Sequence, residues 1–215
     1  MQQTAAYKPM ADQAYDFLYH KIVTCEYPPG QELYEKELLE ETGFGRTPLR
    51  EALLSLQKDG LLEIFPRKGM RISPFTEKQV KDFYQTRKLL EPLVAEEYTS
   101  LYSKEQLLDF QSQFEKSCGE ENYDRFILDY RFHTYLISIT GNDILINMYQ
   151  TLMKRQIHLA MYTAQQISPD PGEDFNQHTA IIDALLRENK KDIRDSITLH
   201  LNFSLVRSMK SLRIQ

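Results

Sequence analysis

The chain is expected to be all-α with a small β-wing: an N-terminal winged helix-turn-helix, then a C-terminal antiparallel helical bundle. Three observations predict this. The stretch Gly43-Phe44-Gly45-Arg46-Thr47-Pro48-Leu49-Arg50-Glu51-Ala52-Leu53 is a tight turn running into a cationic helix start. Two short apolar runs, Leu62-Glu63-Ile64-Phe65 and Met70-Arg71-Ile72-Ser73, flank the turn Pro66-Arg67-Lys68-Gly69 and read as a hairpin. After Pro74 the periodicity is helical throughout.

Taken in order, Ala11 to Tyr27 carries Ala14, Phe17, Leu18, Ile22 and Cys25 at helical spacing, ended by Tyr27-Pro28-Pro29-Gly30. Glu35 to Thr42 is a short helix with Leu38 and Leu39, stopped by Gly43. Thr47 to Asp59 is another, with Leu49, Ala52, Leu53 and Leu56 on one face and Gly60 after it. Here Thr47 reads as the N-cap and Pro48 as the first helical residue. Arg46 and Arg50 then flank a helix N-terminus that already favours anions, which suits a phosphate backbone and base edges. Arg67 and Lys68, at the hairpin tip, suit phosphate or minor-groove contact. Pro74 closes this module, assigned to residues 1–75.

Residues 76–215 read as helices near 76–99, 104–117, 121–139, 143–166, 174–188 and 191–212. Thr76-Glu77-Lys78-Gln79 and Ser103-Lys104-Glu105-Gln106 are capping-box starts, and Gly141-Asn142 and Pro169-Asp170-Pro171-Gly172 are breaks.

The chain has 215 residues, 41% hydrophobic and 27% charged, with two cysteines, Cys25 and Cys118, so no disulfide framework is implied and a reducing cytoplasm is the default. No run approaches a membrane span, and the N-terminus lacks a signal-peptide core. A net charge of −5 argues by itself against a nucleic-acid partner. Between Thr42 and Arg71, however, six basic residues stand against three acidic ones, a local excess of +3.

Five histidines occur, of which His133 lies four residues after Asp129, on the same face of a predicted helix. His178 and His200 are each eleven residues from Asn189, near the turn between the last two helices. An antiparallel pair would bring them level, so Asp129, His133, His178 and His200 are expected to converge in the bundle core. One oxygen and three imidazoles suit a borderline divalent ion such as Zn²⁺, Ni²⁺ or Mn²⁺. Its remaining positions could take the carboxylate of a small anion. Arg87 could clamp such a carboxylate, or could pair with Glu91 one turn on. His20 and His158 are expected to be ordinary surface or core residues.

These residues resemble the GntR family of bacterial transcription regulators, in the subgroup with a FadR-type C-terminal domain (FCD). The resemblance rests on Tyr27-Pro28-Pro29-Gly30-Gln31-Glu32-Leu33, on Gly43 to Leu53, on Asp59-Gly60-Leu61-Leu62, on Arg87 through Glu91, and on the Asp-x3-His, His, His set. It implies DNA contacts from Lys36, Arg46, Thr47 and Arg50, with a wing tip at Arg67, Lys68 and Gly69. It implies metal ligands Asp129, His133, His178 and His200, a homodimer, and effectors such as sugar acids or hydroxy acids. Gly45 departs from the family's usual serine, Lys36 from arginine, and Gln177 from an acid.

The expected function is therefore a non-enzymatic, ligand-responsive transcription regulator that binds double-stranded operator DNA and senses a small carboxylate beside a divalent metal. The rivals are a metal-dependent enzyme built on the helical domain, and a regulator whose metal is purely structural.

Overall fold

The computed structural model describes residues 8–117, 123–167 and 171–214, the side chains of 171–174 excepted. Cys118 and residues 168–170 of the proline-rich break lie outside them. The chain divides at Pro74/Phe75 into two compact units.

The first unit contains α1 (Met10–Val23), β1 (Glu32–Leu33), α2 (Glu35–Thr42), α3 (Arg46–Lys58), β2 (Leu62–Phe65) and β3 (Gly69–Ile72). Ala14, Leu18 and Ile22 of α1 meet Leu38 of α2 and Leu49, Leu53 and Leu56 of α3 in its core. Two readings change here. The hairpin is joined by β1, too short to show alternation in sequence, giving an antiparallel sheet of order β1-β3-β2. Second, α3 starts at Arg46, with Gly45 as its N-cap, and no side chain caps it. Leu49 N–H donates to the Gly45 carbonyl at 3.1 Å. Thr47 is thus not the cap, and Pro48 is third in the helix. Proline fits there because none of the first-turn N–H groups has a partner inside the helix.

The second unit contains α4 (Glu77–Glu97), a single 3₁₀ turn (Thr99–Leu101), α5 (Lys104–Lys116), α6 (Tyr123–Ser138), α7 (Asp143–Gln166), α8 (Pro171–Leu186) and α9 (Lys190–Ser211). Thr76 starts α4 with a reciprocal capping box through Gln79. Ser103 caps α5 by accepting from Gln106 N–H, but the Gln106 side chain turns to Asp109, so that box is half made. Asn142 caps α7. Phe110, Phe114, Phe132, Leu136, Ile181, Ile182, Ile193 and Ile197 fill the core. Pro92 sits inside α4 and is buried, which leaves the Lys88 carbonyl without its helical donor.

His158 of α7 is 1% exposed, its ring centroid lies 4.8 Å from that of Phe75, and its Nε2 has no hydrogen-bond partner. Burial, helped by the Arg155 charge, pushes its pKa down to about 3. The folded state therefore keeps this ring neutral where the unfolded chain, titrating near 6.5, takes up a proton. The stability tied to that neutral ring is present above about pH 6.5 and is lost as the pH falls towards 3. Between pH 7 and 5 the loss is about 2 kcal/mol. We expect urea denaturation to show wild type losing about that much more stability than His158→Phe over this interval; parallel pH profiles would contradict the assignment.

Candidate metal centre and nucleic-acid surface

Asp129 and His133 lie one turn apart on α6 and share its inner face. His178 is on α8 and His200 on α9. Between those helices Glu188 takes a φ of 53° and the Asn189 side chain accepts from Asp192 N–H, so the chain reverses sharply and α9 starts at once. The reversal sets the two histidines side by side, ring centroids 4.6 Å apart.

One donor atom from each of Asp129, His133, His178 and His200 lies within 4.8 Å of all the others. Asp129 Oδ1 is 3.0 Å from His178 Nε2 and 3.6 Å from His133 Nε2, and the Nε2 atoms of His133 and His200 are 3.2 Å apart. Ligands about 2.0–2.2 Å from one zinc ion stand roughly 3–4 Å from one another in four- to six-coordinate geometries, so these three spacings fit one ion. The electrostatics fit in part: burial lowers His133, but Glu91 and Asp129 outweigh it and raise the group, so that ring must give up a proton on binding a metal. Burial, then the His178 and His133 charges, hold His200 well below the ordinary imidazole range. Burial would raise the Asp129 carboxyl, but His133 and His178 hold it well below its usual value. The result is an anionic oxygen and a neutral imidazole facing one point, as metal ligation requires.

Behind His133 stands a network that spacing alone did not reveal. His133 Nδ1 lies 2.8 Å from Glu91 Oε2, which keeps Nε2 turned to the cluster. Glu91 Oε1 accepts from Arg87 Nε at 2.5 Å and from the Tyr149 hydroxyl at 2.6 Å. Burial pushes the Glu91 carboxyl up, but Arg87 and His133 outweigh it and hold the group at about 2. Arg87 is fully buried and does not line the cavity beside the cluster. The effector-clamp reading of Arg87 is therefore corrected: its Nε and one terminal nitrogen face Glu91, and the guanidinium is sealed from the cavity. Gln177 supports His200 rather than its neighbour His178, with Oε1 3.0 Å from His200 Nδ1.

That cavity, about 60 Å³, is lined by Asp129, His178 and His200 together with Arg125, Gln156 and Arg207. Arg125 is one turn before Asp129 on α6, and Arg207 two turns after His200 on α9. Both follow the same-face spacing that pointed to the histidines, so periodicity could have found them.

In the first unit, Lys36, Arg46, Thr47, Arg50, Arg67 and Lys68 are all exposed. Arg46 and Arg50 converge on Glu35 of α2, with Arg50 Nε 3.0 Å from its carboxylate and Arg46 Nε 3.6 Å. Glu35 is thus the acid they share. Exposed pairs of this kind are worth about 0–1 kcal/mol. Lys36 pairs loosely with Glu40 at 3.9 Å. At the wing tip Arg67 has a φ of 64° and Gly69 a φ of 95°. A Cβ on Gly69 would come within 3.1 Å of the Tyr34 ring and 3.2 Å of the Leu33 carbonyl, so only glycine closes the wing against β1.

The model of bacterial regulatory proteins, gntR family, matches residues 10–72, and that of the FCD domain matches residues 82–203. The HTH-type transcriptional repressor RspR of Escherichia coli is 26% identical over 210 residues, covering 96% of this chain and 91% of that protein. The structure of E. coli McbR/YncC is similar, with a TM-score of 0.78 at 18% identity, over 96% of this chain and 100% of that one. The Zn²⁺-bound FCD domain of TM0439 matches with a TM-score of 0.53 at 21% identity, over 65% of this chain and 98% of that one.

Because Glu91 orients His133, Glu91→Gln is expected to weaken zinc binding by about 10–100-fold, read by chelator competition on the folded protein. Gln177→Ala, which removes a neutral support, should weaken it less. Equal affinities in wild type and Glu91→Gln would show that the carboxylate does not set the ligand.

Proposed function

The chain belongs to the gntR family of bacterial regulatory proteins and carries the FCD domain, and on that footing we propose that it is a cytoplasmic, metal-dependent transcription regulator that senses a small carboxylate. The observation that carries this reading is the buried Asp129/His133/His178/His200 cluster with a polar cavity beside it, on a chain whose other unit exposes Arg46 and Arg50 at a helix start. The metal is a borderline divalent ion, Zn²⁺, Ni²⁺ or Mn²⁺, held by those four side chains. It would supply a Lewis-acidic position for the effector's carboxylate. The name of RspR as a repressor and the zinc of the TM0439 domain support the reading. That relatives are named as regulators also favours a sensor over an enzyme.

Lys36, Arg46, Thr47 and Arg50 meet the major groove of double-stranded operator DNA, while Arg67, Lys68 and Gly69 bring the wing to the backbone or minor groove. The chain acts as a homodimer on a palindrome, its half-sites about 34 Å apart. Leu89 and Leu93 on α4 and Ile144 and Met148 on α7 are exposed apolar side chains that suit a subunit contact. Effector binding changes the relative placement of the two reading heads, a coupling that needs only about 1–3 kcal/mol.

Sequences selected from random duplex DNA provide the operator for the test. Arg46→Ala and Arg50→Ala should each weaken specific binding by about 5–150-fold in fluorescence anisotropy, with helix content unchanged by circular dichroism. Unaltered affinity in both variants would reject α3 as the reading helix.

A further inference from the structure

We propose that α9 carries a docking surface for a second copy of this chain: its outer stripe pairs antiparallel with the same stripe of another subunit, about a two-fold axis.

The stripe is apolar and exposed. On the inner side of α9, Ile193, Ile197 and Leu201 are buried in the bundle core. On the outer side Leu199, Phe203 and Val206 are 54%, 45% and 52% exposed. They stand four and then three residues apart, so they share one face. A surface helix needs one apolar stripe to pack on its own domain, and α9 has two. Apolar side chains gathered on one exposed face mark a contact with another molecule.

The charges say which molecule. The same outer face continues to Asp195 and Asp192 towards the helix start, and to Lys210 and Arg213 towards its end, all of them exposed. These positions are symmetric about the midpoint between Asn202 and Phe203: Leu199 mirrors Val206, Asp195 mirrors Lys210, and Asp192 mirrors Arg213. In an isologous contact residue i meets j while j meets i. An antiparallel second α9 therefore sets Asp195 against Lys210 of the partner subunit at both ends, with Leu199 facing Val206 of the partner subunit between them. A parallel pair would set acid on acid and base on base. The helix dipole also favours acids at a helix start and bases at its end. That accounts for the signs, but not for the three apolar side chains in the middle.

From Asp195 to Lys210 the stripe runs about 22 Å along the helix. Asp192 and Arg213 each hold a partner in their own chain: Asn189 Nδ2 donates to Asp192 at 2.9 Å, and Arg213 Nε lies 3.4 Å from Glu77. Asp195 and Lys210 are therefore the pair to reverse in a test. The stripe lies on a different helix from Leu89, Leu93, Ile144 and Met148. Together with the subunit contact proposed above for α4 and α7, it joins dimers into tetramers.

Sedimentation velocity of the full chain over a concentration series tests this. Wild type should show an association step that Phe203→Glu and Lys210→Glu each weaken by about 10-fold or more, since like charges then meet twice across the axis. Circular dichroism should show helix content unchanged in both. Asp195→Lys combined with Lys210→Glu should restore the step, because both ends are complementary again. Leu89→Glu, on α4, should leave it in place, so failure of the α4/α7 contact and failure of this one are told apart. The same association state in wild type, Phe203→Glu and Lys210→Glu would overturn the pairing. A loss in Lys210→Glu that the double reversal does not restore would overturn its antiparallel register.

Discussion

A carboxylate sealed inside a helical bundle must be answered by donors on every side, and Glu91 is the place where this chain meets that demand. Arg87 reaches it along α4, Tyr149 from α7 and His133 from α6. Three helices are thereby tied to one pair of oxygens in a region that excludes water. Such a group stabilises only when fully partnered, and removing one partner costs more than the contact itself contributes. The ligand cluster inherits this rigidity, because the ring bonded to Glu91 is also the ring that faces Asp129 and His200. A metal-binding geometry can be held ready here without the metal, at the cost of four polar side chains among phenylalanines and isoleucines.

What could be read from the sequence follows physical periodicity. Asp129 and His133 declare themselves because four residues make about one helical turn, and His178 and His200 because they are symmetric about Asn189. The winged unit is legible for a similar reason: glycines and prolines mark turns, and Pro66-Arg67-Lys68-Gly69 leaves little choice but a hairpin. β1 is not legible, since two residues cannot show a period and its pairing with β3 comes from tertiary contact. The start of α3 shifts because a threonine before a proline looks like a cap, yet Gly45 takes the extended cap geometry instead. Arg87 shows the limit of spacing arguments. Four residues before a glutamate, it could be a clamp or a partner, and only burial decides.

The two units handle charge in opposite ways. Around Glu91 the bundle buries an arginine, a carboxylate and a histidine against one another, so their interactions are strong and local. In the winged unit the charged groups are exposed, with weak partners, so water and salt screen them. The first arrangement suits discrimination among small anions by shape and donor count. The second suits a surface that must attach to a polyanion and leave it.

Glu35 gives that second arrangement a further property. Its carboxylate already stands where Arg46 and Arg50 both turn, as a phosphate would. Any duplex that takes these arginines must first evict an anion belonging to the same chain. On the function proposed above, that eviction cost would be the same for every nucleotide sequence, so it would subtract equally from all sites and make Glu35 a competitor carried by the chain itself.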